Sequence, residues 1–171
     1  GPPGFTAPDF DLPGVDGRSH TLASARGPAG LLVMFICNHC PYVKAIVDKI
    51  VRDTDALRPL GIGSIAVMSN DPSEYAEDSF ENMQAVAQRH RFGFPYVLDA
   101  TQAVARAYGA VCTPDFFGFD RDLKLVYRGR LHASGRSGAA DAQRELFDAM
   151  REMAAGRPAP SVQHPSIGCL I

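Results

Sequence analysis

Leu31-Leu32-Val33-Met34-Phe35-Ile36-Cys37-Asn38-His39-Cys40 joins a run of apolar residues to two cysteines set two residues apart. A short unbroken apolar run fits a strand covered on both faces, because alternate side chains point to opposite sides of a sheet. A helical pattern follows. Val43, Ile46, Val47, Ile50 and Leu57 recur close to i, i+3, i+4, i+7, and Lys44, Asp48, Lys49 and Arg52 take the other side. Asn38 is the expected N-cap, which puts Pro41 in the first turn, where its missing N–H costs little. The dithiol therefore stands between a buried strand and a helix start. Unpaired N–H groups there favour a thiolate, and the thiolate is the attacking species in disulfide exchange.

Upstream, Phe10-Asp11-Leu12 and His20-Thr21-Leu22 flank the turn chemistry of Pro13-Gly14 and Asp16-Gly17, which predicts an N-terminal β-hairpin. Downstream, Ile62 to Met68 reads as a strand and Asp78 to His90 as a helix burying Phe80, Met83, Val86 and Ala87. Phe94 to Leu98 is a short strand, and Thr101 to Tyr108 a short helix closed by Gly109. Phe116–Phe119 and Leu123–Tyr127 form an expected antiparallel hairpin turning at Asp120-Arg121-Asp122. Ala139 to Ala154 reads as the last helix, stopped by Gly156 and Pro158. Residues 157–171 carry no period and are expected to be an irregular tail. Strand–helix alternation followed by a hairpin and a helix indicates an α/β domain with a mixed central sheet.

A chain of 171 residues fits one domain spanning 1–171, and 46% apolar with 21% charged residues is an ordinary globular composition. A net charge of −2 gives no electrostatic reason to expect nucleic acid. No apolar run reaches membrane-spanning length. No basic start precedes an apolar stretch, so a cytoplasmic location is expected, although the opening Gly1-Pro2 does not secure the natural start. Four cysteines are too few for a disulfide scaffold in a chain this long. A zinc site wants a second cysteine pair at similar spacing, whereas Cys112 and Cys169 are single and distant; no metal is expected. No glycine-rich phosphate loop or flavin motif implies a cofactor.

Several further segments carry a resemblance. Ala7-Pro8-Asp9-Phe10, Leu12-Pro13 and Asp16-Gly17 are similar to the start of the redoxin branch of the thioredoxin-like superfamily. Phe35-Ile36-Cys37-Asn38-His39-Cys40-Pro41-Tyr42-Val43-Lys44, Asn70-Asp71, Phe94-Pro95-Tyr96, Cys112-Thr113-Pro114-Asp115-Phe116-Phe117 and Pro165-Ser166-Ile167-Gly168-Cys169 resemble peroxiredoxin-like bacterial proteins with a CNHC motif. The resemblance runs from about Phe5 to Cys169. It implies a thioredoxin fold with an added N-terminal hairpin.

It also implies roles. Cys37 is the nucleophile and Cys40 the resolving thiol. His39 supplies a hydrogen bond or charge to the Cys37 thiolate, giving a dithiol more oxidising than thioredoxin at about −270 mV. Thr113-Pro114 carries a cis peptide bond opposite the dithiol, whose exposed backbone pairs with an extended substrate. Cys112 is either an additional redox thiol or an inert buried residue. Cys169 either reaches another cysteine, bridges two chains, or stays a thiol. The buried Asp of thioredoxins is absent, since its position is Leu31, and Glu81 or Asp99 replaces it only if the fold brings one close. The acidic run Glu74, Glu77, Asp78 and Glu81 reads as the solvated start of a helix, and His20, His90, His132 and His164 as solvated or structural.

Three functions fit. The first is a thiol–disulfide oxidoreductase acting on protein or small disulfides and recycled by another protein or a small thiol. The second is a peroxiredoxin-like peroxidase, in which Cys40 becomes peroxidatic, Cys37 takes the place of a Thr, Val33 that of a Pro, and Pro114 stands where an Arg is wanted. The third is a non-enzymatic redox sensor.

Overall fold

The computed structural model describes residues 4–133 and 142–171. β1 (Asp11–Pro13) and β2 (Ser19–Thr21) form the N-terminal hairpin, shifted inward by a residue from the sequence reading. Leu22 instead opens α1 (Leu22–Ala25), because Thr21 caps it: its hydroxyl accepts the Ser24 N–H. β3 (Gly30–Phe35) leads to the cysteines. The helix expected after them is two helices, α2 (Pro41–Lys44) and α3 (Val47–Leu57). The break falls at Ile46, whose φ of −123° and ψ of 1° leave the helical region. Val43, Ile46 and Ile50 still reach one core, so the apolar period runs through the break without registering it.

β4 (Ile62–Met68) follows, then α4 (Phe80–Arg89), β5 (Tyr96–Leu98) and α5 (Ala103–Tyr108). β6 (Cys112–Thr113) precedes the hairpin of β7 (Asp115–Phe119) and β8 (Leu125–Gly129). Asp120 fixes its turn by accepting the N–H groups of Asp122 and Lys124. α6 spans Glu145–Ala154; Ala139, its expected start, lies outside the described residues. The tail is not wholly irregular: β9 (Cys169–Leu170) pairs antiparallel with β6.

The central sheet has the order β5-β4-β3-β7-β8, parallel from β3 to β5 and antiparallel through β7 and β8. It is therefore mixed, as expected. β3 lies in the middle, and its side chains divide by parity. Leu32 and Met34 join a core with Ile50, Met83 and Met150, beneath α3, α4 and α6. Leu31, Val33 and Phe35 join a second core with Leu22 and Tyr108, beneath α1 and α5. Cover on both faces is why this strand is apolar at every position. It also fixes the register, because a slip of one residue would exchange the two cores. Cys37 and Cys40 are thus delivered to the sheet's carboxyl end by its most constrained strand. No helix among the described residues is long and apolar enough to cross a membrane.

Candidate active site

The loop between β3 and α2 carries Cys37, Asn38 and His39. Cys40, not Asn38, is the N-cap of α2, and the N–H groups of Val43 and Lys44 return to its carbonyl. Pro41 occupies the first helical position, where its lack of an N–H is harmless. Asn38 has a different task. Its Nδ2 donates to the Glu77 carbonyl at 2.8 Å, and its Oδ1 accepts the Tyr96 hydroxyl at 2.8 Å.

The N–H groups of Asn38 and His39 need an acceptor, and Asp78 is it. Its Oδ1 accepts both, at 2.7 and 3.1 Å. Its Oδ2 lies 2.5 Å from His39 Nδ1. Asp78 is 0% exposed, which overturns its reading as part of a solvated acidic run. Tyr75 stacks on the imidazole, with ring centroids 3.7 Å apart and planes 4° from parallel. Asp78 and Tyr75 escaped sequence reasoning. The signal was indirect: a loop turning before Cys40 leaves two N–H groups to satisfy, and an acid just ahead of the Ser79 cap of α4 can reach them.

The Thr113–Pro114 peptide bond is cis. Thr113 meets both sulfurs of the motif. Its Oγ1 lies 3.2 Å from Cys37 Sγ, and its carbonyl oxygen lies 3.3 Å from Cys40 Sγ. Cys112, the neighbour on the same short strand, points to the opposite side. Burial, followed by the nearby Asp115 carboxylate, pushes its thiol up to about 11. The backbone edge expected to be exposed for a substrate is occupied by the chain's own β9, with Thr113 opposite Cys169. Cys169 Sγ stands 2.8 Å from Cys40 Sγ. Asn70 Nδ2 donates to the Leu170 carbonyl at 3.0 Å, and the Ile171 N–H to the Val111 carbonyl at 3.1 Å, so the strand is held along its length.

The thiols divide one charge unequally. A hydrogen bond donated by Cys37 is the largest influence on Cys40 and pulls its pKa well below the thiol range. Burial opposes this, and contacts from Cys169 and the Val43 N–H assist it. Cys37 moves the other way, raised first by that hydrogen bond to Cys40, then by burial and by the Asp78 charge. Exposure is also unequal. Cys37 is 2% exposed and lines a cleft of about 350 Å³ with Lys44, Glu77 and Arg89, whereas Cys40 is 0% exposed. A second cleft, of about 500 Å³, lies between His39, Tyr75 and Cys169.

A pH titration of the reduced protein reads this division. A depressed pKa keeps a thiolate at neutral pH and loses it as the pH falls through that pKa. One thiolate per chain should therefore persist in ultraviolet absorbance well below the ordinary thiol pKa of about 8.5 and vanish in Cys40→Ser. A transition confined to the ordinary range would remove the basis for placing the charge on Cys40.

The two acids considered as proton acceptors stand elsewhere. Asp99 accepts from Ser69 Oγ and the N–H groups of Val104 and Ala105, and Glu81 is exposed. Among the described residues, the ligand atoms of Cys37, His39 and Asp78 gather within 4.8 Å of one another, which is within reach of one metal ion. Asp78 already spends its oxygens on two N–H groups and the imidazole, so binding an ion there would leave those donors unpartnered.

The model of the AhpC/TSA family matches residues 3–128. The chain belongs to the AhpC/TSA family. Among curated relatives, this AhpC/TSA chain is similar to the thiol-disulfide oxidoreductase ResA of Geobacillus thermodenitrificans. The two are 29% identical over 122 residues, covering 71% of this chain and 66% of ResA, a little under two thirds of that protein. Among solved structures, an uncharacterized conserved protein from Geobacillus kaustophilus superposes with a TM-score of 0.95 at 45% identity, covering 99% of this chain and 91% of the other. The thioredoxin domain of a thiol-disulfide oxidoreductase from Bacteroides vulgatus superposes with a TM-score of 0.62 at 19% identity, covering 74% of this chain and 87% of that one. That likeness speaks to fold alone, and the fold is thioredoxin-like.

Proposed function

We propose that this protein is a thiol–disulfide oxidoreductase that works through the Cys37/Cys40 dithiol. The observation that carries the reading is the convergence of both sulfurs on Thr113, beside a cis proline and at the end of the central strand. Cys37, at the cleft, attacks a substrate disulfide and passes its proton to the Cys40 thiolate. One substrate half leaves as a thiolate, and the other stays bonded to Cys37. The leaving thiolate takes the proton from Cys40, which then attacks Cys37 Sγ, closes the Cys37–Cys40 disulfide and releases the second half. Two electrons pass from the dithiol to the substrate. Another protein or a small thiol restores the dithiol. His39 positions the loop through Asp78.

A thiol peroxidase is the second reading, and one observation favours it. The Cys40 pKa is drawn below the thiol range, first by Cys37, which takes the place of a Thr hydroxyl in peroxiredoxins. The contacts that lower that pKa are thiols and the N–H groups of Val43 and Cys169, and Pro114 stands where a guanidinium is wanted. The leaving oxygen would then lack a stabilising positive charge. Thiol loss from the reduced protein, measured with hydrogen peroxide and with a peptide disulfide, separates the two. Fast exchange beside peroxide reactivity close to that of an ordinary cysteine is expected. Peroxide reaction orders of magnitude faster than a simple thiol's would overturn the exchange reading.

A further inference from the structure

Cys40 is flanked by two sulfurs, and only one of them belongs to its motif. The other comes from the tail, 129 residues along the chain, and stands 2.8 Å away. That is less than an ångström beyond the S–S bond length of about 2.05 Å. The approach is built into the sequence on both sides of Cys169. A Cβ on Gly168 would lie 1.7 Å from the Thr113 carbonyl oxygen, so only glycine lets the strand come this close. Asn70 and Val111 hold the residues that follow. Cys112, on the same strand pair, is placed otherwise: its Sγ lies 3.9 Å from the Pro114 carbonyl oxygen.

We propose that Cys169 is a third redox thiol that takes over the disulfide from the dithiol. The step rests on the exchange reading above, which supplies the Cys37–Cys40 disulfide. Cys169 attacks Cys40 Sγ as a thiolate. The Cys40–Cys169 bond forms, the Cys37–Cys40 bond breaks, and Cys37 leaves as a thiolate that takes the proton Cys169 gave up. No electrons enter or leave the protein, so no further oxidant is needed. The disulfide moves from the sulfur facing the Cys37 cleft to the one facing the cleft beside His39. Attack starts from contact, since Cys169 Sγ already stands 2.8 Å from Cys40 Sγ.

The test is a disulfide map of the full chain after treatment with oxidised glutathione, acid quenching, alkylation and mass spectrometry of the digested peptides. Wild type should give both Cys37–Cys40 and Cys40–Cys169 peptides, with the second at a tenth of the population or more. Cys37→Ser should lose two thiols, retain no glutathione and give Cys40–Cys169. Cys169→Ser should give Cys37–Cys40 alone. Wild type that holds only Cys37–Cys40, together with Cys37→Ser that stops as a glutathione adduct, would overturn the proposal and leave the exchange reading standing. Absence of a Cys37–Cys40 disulfide from both wild type and Cys169→Ser would instead be the failure of the exchange reading.

Discussion

Cys37→Ser is expected to slow exchange with a peptide disulfide by at least about 10³-fold, because a hydroxyl is a poor nucleophile at neutral pH and the substrate-facing sulfur has no substitute at the cleft. Cys40 is 0% exposed and stands beside Cys169. The companion Cys40→Ser should behave differently. Removing Cys40 takes away the hydrogen bond that is the largest cause of the raised Cys37 pKa, so the first attack persists. Release of the second substrate half then stops, and the protein accumulates as a mixed disulfide on Cys37. Stopped-flow fluorescence with a quenched peptide disulfide gives the rates, and intact mass gives the trapped adduct. Cys37→Ser within tenfold of the wild-type rate would move the chemistry to Cys40 and Cys169.

The second large effect is on stability. Asp78→Ala leaves the N–H groups of Asn38 and His39 and the His39 ring without their acceptor, which is itself fully buried. Removing one partner from a buried, charge-assisted network costs about 3–5 kcal/mol. For a chain of this size that is a fall in Tm of roughly 6–20 °C. Asp78→Asn should lose much less, because its carbonyl oxygen can still take the two backbone N–H groups while its amide faces His39. Thermal unfolding of the reduced proteins by circular dichroism makes the comparison. Equal Tm values for Asp78→Ala and wild type would mean that the loop finds other acceptors.

The stretch from Leu31 to Cys40 disclosed its structure because several levels agree there. An unbroken apolar strand, a proline at the first helical position and a two-residue gap between thiols all imply one arrangement. Elsewhere the sequence was legible where a clear period or local chemistry acts, as at Ile62–Met68. Asp120 and Gly109 mark their turns, and the structure uses them so. The break at Ile46 was hidden because both helices feed the same core, and a period reports which face is buried, not whether the backbone is continuous. Asp78 was hidden because its partners lie 39 and 40 residues earlier in the chain. Next to Glu74, Glu77 and Glu81 it looks like one more solvated acid, and only tertiary contact distinguishes it. Cys169 was visible as a cysteine, but its neighbour was not. A two-residue strand has no period to read, and its pairing depends on Gly168 meeting Thr113.

Thr113 touches Cys37 through its hydroxyl, Cys40 through its carbonyl, and Cys169 through the strand pairing. An extended polypeptide seeking the edge of β6 must therefore compete with a strand that is already tethered to it. A tether of this kind competes at an effective concentration of about millimolar. A protein client must overcome that local excess before it can pair with the backbone. A compact disulfide that enters the Cys37 cleft without strand pairing meets no such competitor. Under the proposed exchange function, client size would be selected by the Cys169–Leu170 strand, before any sulfur has reacted.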